Sequence, residues 1–305
     1  MKEVGIFKGY SLAIIAVFFW SFNVIVSKYL VNTMTPWQIA FFRWLFAMIA
    51  LFPFTIRGII KYRKVIYKNS ILILFMSVSG IVLSNTFIYM AGHTLSAIDM
   101  SLINITGPIF LVILSAIFLK QKMKKQQLYG LLITIFGVLT LVSRGNIVNL
   151  TSLQLKIGDF WTLMAALTFG TYGTLMLKKP KELPELVLLS ITVIIAVIMI
   201  FPIFLSSLEY NPLTKMTKVD WGIMVYMGLI NSIVTYLCWN TALNKFGSVK
   251  ISVMYYLMPL FSTIESYFLL GEKISLAQVY GGFFIILGIF VIEFYGSYKI
   301  KIVRA

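Results

Sequence analysis

The chain of 305 residues has one cysteine, Cys238, and one histidine, His93. A lone cysteine closes no intrachain disulfide, and one His with one Cys cannot build a tetrahedral metal site. Acidic residues are scarce, ten Asp and Glu against 26 Lys and Arg. Charged residues make up 12% of the chain, about half of the roughly 25% in an ordinary soluble domain. The phosphate-cradling Walker pattern is missing, so any transport is expected to be secondary rather than ATP-driven. No long polar stretch interrupts the chain, which leaves a water-exposed catalytic core nowhere to sit. Neither an enzyme nor a cofactor is expected.

What is plentiful is apolar: 60% of residues are hydrophobic and the mean hydropathy is +0.93. Such a surface is unfavourable in water and costs nothing against lipid. A helix needs about 20 apolar residues to cross the hydrocarbon. Ten runs qualify: 9–30, 37–56, 70–91, 97–119, 126–144, 158–177, 185–206, 221–244, 248–270 and 276–295. The first is too long for a signal-peptide core and reads as a retained helix. The expected fold is an all-α membrane protein of ten transmembrane helices.

The net charge of +16 would suit a nucleic-acid binder, but its distribution argues otherwise. Counting Lys and Arg in alternate connecting segments gives 19 on one side and 5 on the other, with Lys28 and Arg43 inside spans. Cytoplasmic loops are the ones enriched in these residues. Both termini are therefore expected in the cytoplasm of a plasma (inner) membrane, with lipids and a small-molecule solute as partners and no nucleic acid. Oligomeric state is not legible.

Sliding the chain by 151 residues aligns its halves, 1–150 and 151–305. Segment 96–145 falls on 247–296 without a gap. Pro108 matches Pro259, Gln127 matches Gln278, and Tyr129, Gly130 and Gly137 match Tyr280, Gly281 and Gly288. Shared hydropathy alone would not put Pro, Gln and paired Gly in one register. Five helices per half is an odd number, so the second repeat is expected inverted in the membrane. That arrangement suits alternating access around a midplane site.

The residues resemble the drug/metabolite transporter superfamily, EamA-type branch, over essentially the whole chain. The resemblance rests on Trp20-Ser-Phe-Asn23, on Pro36 followed by Phe-Phe-Arg43, on Gly158-Asp159, and on Leu270-Gly271-Glu272; the first repeat departs from the last motif with Leu119-Lys120-Gln121. It implies export or exchange of amino acids or related organic solutes, without naming one. Uptake of a nucleotide-related metabolite such as S-adenosylmethionine, a channel and a lipid scramblase stay open.

Candidate site residues follow from polar and kinked positions at membrane depth. Trp20 and Asn23 share a helical stripe of small and polar residues, which face other helices in membranes. Asn85 and Asn231 lie inside apolar runs. Pro108 and Pro259, mid-run and matched, are candidate hinges; each frees the carbonyl four residues earlier, at Asn104 and Tyr255, which join the solute-binding candidates. Tyr89, Tyr172, Tyr236, Tyr256 and Trp239 are further candidates for an aromatic pocket. Arg43 and Glu265 are opposite charges at similar expected depth, and charge inside a membrane seeks a partner; they are expected to form a gating pair, directly or through the solute, when the outer gate is closed, and a coupling proton on Glu265 stays open as the alternative. His93 reads as a loop histidine, and the seven-spaced glycines as close helix packing.

Overall fold

A computed structural model describes residues 2–118, 125–143, 156–210, 213–246 and 253–291. The side chain of Tyr256 and the Leu119-Lys120-Gln121 motif lie outside what is described. The described chain is helical and contains no strand. Its helices are α1 (Lys2–Leu30), α2 (Pro36–Lys61), α3 (Arg63–Lys68), α4 (Ser70–Ala91) and α5 (Ala97–Phe118), then α6 (Lys125–Val142), α7 (Ile157–Met176) and α8 (Glu185–Tyr210). Last come α9 (residues 218–246), α10 (Met258–Leu270) and α11 (Leu276–Phe290). Six helices (α1, α2, α4, α5, α8 and α9) are long and apolar enough to cross a membrane. Large apolar side chains such as Phe54, Ile71, Phe268 and Leu276 stand exposed on the bundle surface, as lipid-facing residues do. The molecule is a multi-pass membrane protein.

The helices start where local chemistry caps them. Thr35 and Gln38, Thr217 and Asp220, and Ser275 and Gln278 form capping boxes, each satisfying backbone N–H groups that a helix start leaves free. Ser96 caps α5 through the Asp99 amide. These caps gather at one end of the bundle. There Lys28 donates to the Gly92 carbonyl (3.0 Å) and Gln38 to the Ser207 carbonyl (3.4 Å). Glu272 accepts from the Ala97 and Ile98 amides at 2.9 and 3.3 Å, and Gln278 donates to Asp99 at 2.8 Å. The loops at this end are the lysine-poor ones.

Packing repeats under the 151-residue shift. α6 lies on α11 and α2 on α8. α1 packs on α10 and the last turns of α9, while α7 packs on Gly107–Phe118 of α5 and Ser84–Ala91 of α4. The first helix of each half thus beds into the other half. A Cβ on Gly137 would lie 2.7 Å from the Ile285 amide nitrogen and 2.8 Å from the Gly281 carbonyl oxygen, so α6 and α11 approach closely only because this residue is glycine.

The irregular turns repeat as well. α4 opens into a π-helical stretch at Ser77–Leu83 and α9 into one at Met227–Val234. α5 is broken between Asn104 and Gly107, just before Pro108, and a 3-10 turn, Val253–Leu257, precedes Pro259 in α10. π-bulges are rare and favour functional sites.

Candidate functional site

The irregular turns surround a small central cavity lined by Trp20, Asn23, Ser84, Asn85, Ile88, Asn104, Phe169, Tyr236, Tyr255 and Met258. Five of the six solute-binding candidates line it; Asn231 does not. Its volume is about 30 Å³, room for a water or two. On one side stands an aromatic box. The Trp20 ring meets Phe169 at 5.4 Å, Tyr236 at 5.5 Å and Tyr255 at 6.1 Å, all edge-on, and leans on Trp239 at 5.3 Å. Edge-to-face contact places electropositive ring edges on electronegative faces. Carboxamides occupy the other side.

Amides and phenols join across the cavity. Asn85 Nδ2 donates to Tyr236 Oη and Asn104 Nδ2 to Tyr255 Oη, both at 3.1 Å. Each pair is separated by 151 positions, so each residue touches its own repeat mate. The two contacts bring matched segments of the chain together at the cavity. One half supplies amides and the other hydroxyls, which makes the cavity chemically lopsided. Tyr236 Oη also donates to the Gly80 carbonyl at 2.7 Å, in the first π stretch, where the helical ladder is interrupted. The repeat mate of Gly80 is Asn231, in the second π stretch, and its carbonyl accepts from Arg43 Nη2 at 3.0 Å.

Arg43 is completely buried. Its Nε donates to Ser232 Oγ (2.7 Å). Nη1 is shared among Asn23 Oδ1 (2.9 Å), Asn85 Oδ1 (2.8 Å) and Tyr89 Oη (2.7 Å), and Nη2 also reaches Asn231 Oδ1 at 3.1 Å. The guanidinium carbon lies 4.8 Å from the Trp44 ring centre, a cation–π distance. Every acceptor is neutral. The expected Arg43–Glu265 pair is not formed in this arrangement: Glu265 Oε1 instead contacts Ser21 Oγ at 2.9 Å, and the ion pair seen among the described residues is Lys179–Glu185 at 3.0 Å. The physical reason is that Arg43 already spends its five N–H groups on α1, α4 and α9. Asn231 belongs to this cluster rather than to the cavity wall, and also donates to the Phe19 carbonyl.

Of the aromatic candidates, Tyr236 lines the cavity, Trp239 backs Trp20, Tyr172 accepts from Asn240 at 2.9 Å, and Tyr89 holds Arg43. His93 lies between α4 and α5; partial burial and the nearby Lys28 charge push its pKa below the ordinary value, so the ring is neutral at pH 7. Sequence reasoning missed Phe169, Ile88 and Met258, which no polar or periodic signal marks, and Ser84, a polar residue beside Asn85 in the same apolar run. It also missed the Glu272 contact on α5.

The sequence matches the EamA-like transporter family twice, over residues 7–143 and 156–294. The chain belongs to the EamA-like transporter family. The transporter YyaM of Bacillus subtilis is 27% identical over 272 residues, covering 88% of this chain and 87% of its own length. Two relatives named probable amino-acid metabolite efflux pumps are 24% identical in Salmonella typhimurium and 22% in Escherichia coli, each covering 92% of this chain and 93% of its own. One solved crystal structure shares the fold, with a TM-score of 0.66 at 14% identity, covering 95% of this chain and 97% of the other. As an EamA-family member the chain is a small-solute transporter, and its candidate site is the central cavity and the polar cluster beside it.

Proposed function

We propose that this transporter is a secondary carrier that moves an amino acid or related organic solute across the plasma membrane by alternating access, in export or exchange. It is built from ten transmembrane helices in two inverted five-helix halves, 1–150 and 151–305, with both termini in the cytoplasm. The observation that carries the reading is the cavity of about 30 Å³ at which two residues of one half meet their repeat mates. A site on the relation between inverted halves can face either side as the halves exchange conformations. The box of Trp20, Phe169, Tyr236 and Tyr255 suits an apolar body, and the carboxamides of Asn23, Asn85 and Asn104 suit polar groups. Tight closure fits a collapsed, solute-free state. Glu272, Lys28 and Gln278 hold the lysine-poor end shut, whereas an apolar cleft of about 320 Å³ and a mixed one of about 430 Å³, lined in part by Lys68, Asn69 and Ser70, open beside Lys178 at the other end. That asymmetry supports a cytoplasm-facing conformation.

Reconstituted protein loaded with unlabelled L-amino acids should show saturable counterflow of a radiolabelled L-amino-acid mixture. Unsaturable flux, or flipping of labelled lipid at a matching rate, would replace the carrier reading with a channel or scramblase.

A further inference from the structure

We propose that Glu265 is a proton-binding site of this carrier and that the arrangement described above is its proton-loaded form. The coupling role rests on the carrier reading; the protonation does not.

The case begins with one hydrogen. Ser21 Oγ lies 2.6 Å from the Phe18 carbonyl oxygen and 2.9 Å from Glu265 Oε1. A serine hydroxyl has a single hydrogen to donate and lone pairs with which to accept. Back-bonding to the carbonyl three or four residues earlier is a helical serine's habit, and it uses that hydrogen. The contact to Glu265 is then attractive only if the carboxyl supplies a hydrogen of its own. With Glu265 ionised, the one hydrogen would have to be shared between two acceptors, weakening both short contacts.

The second oxygen agrees. Glu265 Oε2 is buried and meets no hydrogen-bond partner among the described residues. A neutral carbonyl oxygen tolerates that far better than half of a charged carboxylate does. Nor does a counter-charge contact the carboxyl among the described residues. Tyr226 on α9 lies within electrostatic range of both Glu265 and Arg43, but Arg43 forms no ion pair with Glu265 and directs its N–H groups to Ser232, Asn23, Asn85, Tyr89 and Asn231 instead. On the elements packed against α10, Lys28 is held by the Gly92 carbonyl, Asp99 by Gln278, and Tyr255 by Asn104. Among the described groups a proton is what neutralises the carboxyl.

The position suits coupling. Glu265 sits on α10 against α1, the helix that also carries Trp20 and Asn23 into the cavity. Its repeat mate is Leu114, so the exchange of conformations between the halves moves an ionisable group on one side only. Water on one side donates a proton to Oε1, forming one O–H bond; after the conformational change that bond breaks, the proton leaves to water on the other side, and the carboxylate is restored.

Two measurements test this on the full-length protein. Infrared difference spectra of purified parent and Glu265→Gln at pH 7 should show a carboxylic-acid C=O stretch, shifted in D2O, that the variant lacks. Its absence from the parent refutes the loaded form. In proteoliposomes, the ratio of pH-gradient-driven to gradient-free flux of the radiolabelled L-amino-acid mixture should fall about tenfold in Glu265→Gln, a usual size for coupling between sites. An unchanged ratio refutes the coupling. Absence of gradient-free exchange in the parent counts against the carrier reading alone, and the infrared result then decides the proton site. Ser21→Ala is the second variant: the carboxyl band should persist and shift in frequency, and a band unmoved by loss of the hydroxyl overturns the assignment to this contact.

Discussion

Asn104 and Tyr255 are 151 positions apart in the chain, and the amide nitrogen of one lies 3.1 Å from the phenol oxygen of the other. Asn85 and Tyr236 repeat the relationship at the same separation and distance. The two contacts stitch the halves together at the cavity and differ in one respect. Tyr236 makes a further bond to Gly80, whereas Tyr255 is recorded with its amide alone.

Tyr236→Phe should therefore destabilise the protein more than Tyr255→Phe. Tyr236→Phe removes two hydrogen bonds and Tyr255→Phe one, at about 0.5–1.5 kcal/mol each, and the Asn85 amide keeps its bonds to the Gly80 and Ile81 carbonyls. Thermal unfolding in detergent ranks the variants. Equal midpoints, or the reverse order, would count against the bonding pattern.

Trp20→Ala and Asn23→Ala should both raise the apparent KM for solute, but they should differ in yield. Trp20 touches the cavity through its ring alone. Asn23 also accepts from Arg43 at 2.9 Å, so its loss leaves a buried cation short of an acceptor. The expected result is a higher KM at near-parental yield for Trp20→Ala, and a higher KM with reduced yield for Asn23→Ala. An unaltered KM in both would leave packing as their sole role.

Arg43→Lys should cost at least about 3 kcal/mol, two charge-assisted bonds at the low end of their range, because one ammonium cannot replace a fork that reaches α1, α4 and α9 together. A double-mutant cycle over Arg43→Leu and Glu265→Leu should give a coupling energy near zero, while Arg43 with Asn231 should couple strongly. Strong rescue in the Arg43–Glu265 double variant would restore the ion pair that charge and depth alone suggested.

Pro108→Ala and Pro259→Ala should slow exchange of the halves without unfolding them. Both prolines follow interruptions in their helices, and restoring the missing N–H donor would let the helix run through. Counterflow rates at saturating solute, compared with circular dichroism, check this; parental rates in both variants would remove the hinges.

Glu272→Ala should loosen the lysine-poor end. Its carboxylate accepts from the first two amides of α5, where the helix dipole adds to the hydrogen bonds. About 1–2 kcal/mol is expected from charge-assisted bonds at a partly exposed site. Labelling rates of a cysteine placed at the cavity in a Cys238→Ser background should rise from the lysine-poor side; an unchanged rate would reduce the contact to a surface cap.

Much of the architecture was legible because the bilayer imposes it. The ten apolar runs are largely helical where they are described, with a break at residues 105 and 106, and six of the helices are long and apolar enough to cross a membrane; a backbone in lipid must satisfy its own hydrogen bonds. Matched Pro108 and Pro259 marked where helices break. Intramembrane amides marked the cavity wall, because burying Asn23, Asn85 and Asn104 without purpose is costly. The π stretches, Ser77–Leu83 and Met227–Val234, were not read from the sequence; in each, one carbonyl, Gly80 or Asn231, accepts from a side chain of another helix, Tyr236 or Arg43.

The sequence by itself determined an apolar helical chain, an internal repeat of 151 residues, a lysine-poor side, and the polar residues too expensive to bury idly. Those follow from composition and local chemistry. Tertiary structure decided which partner each polar residue took. Arg43 and Glu265 looked complementary in charge and depth, yet hydrogen bonds are short and directional. Helix packing put Asn23, Asn85, Tyr89, Asn231 and Ser232 within reach of the guanidinium and left the carboxyl against Ser21.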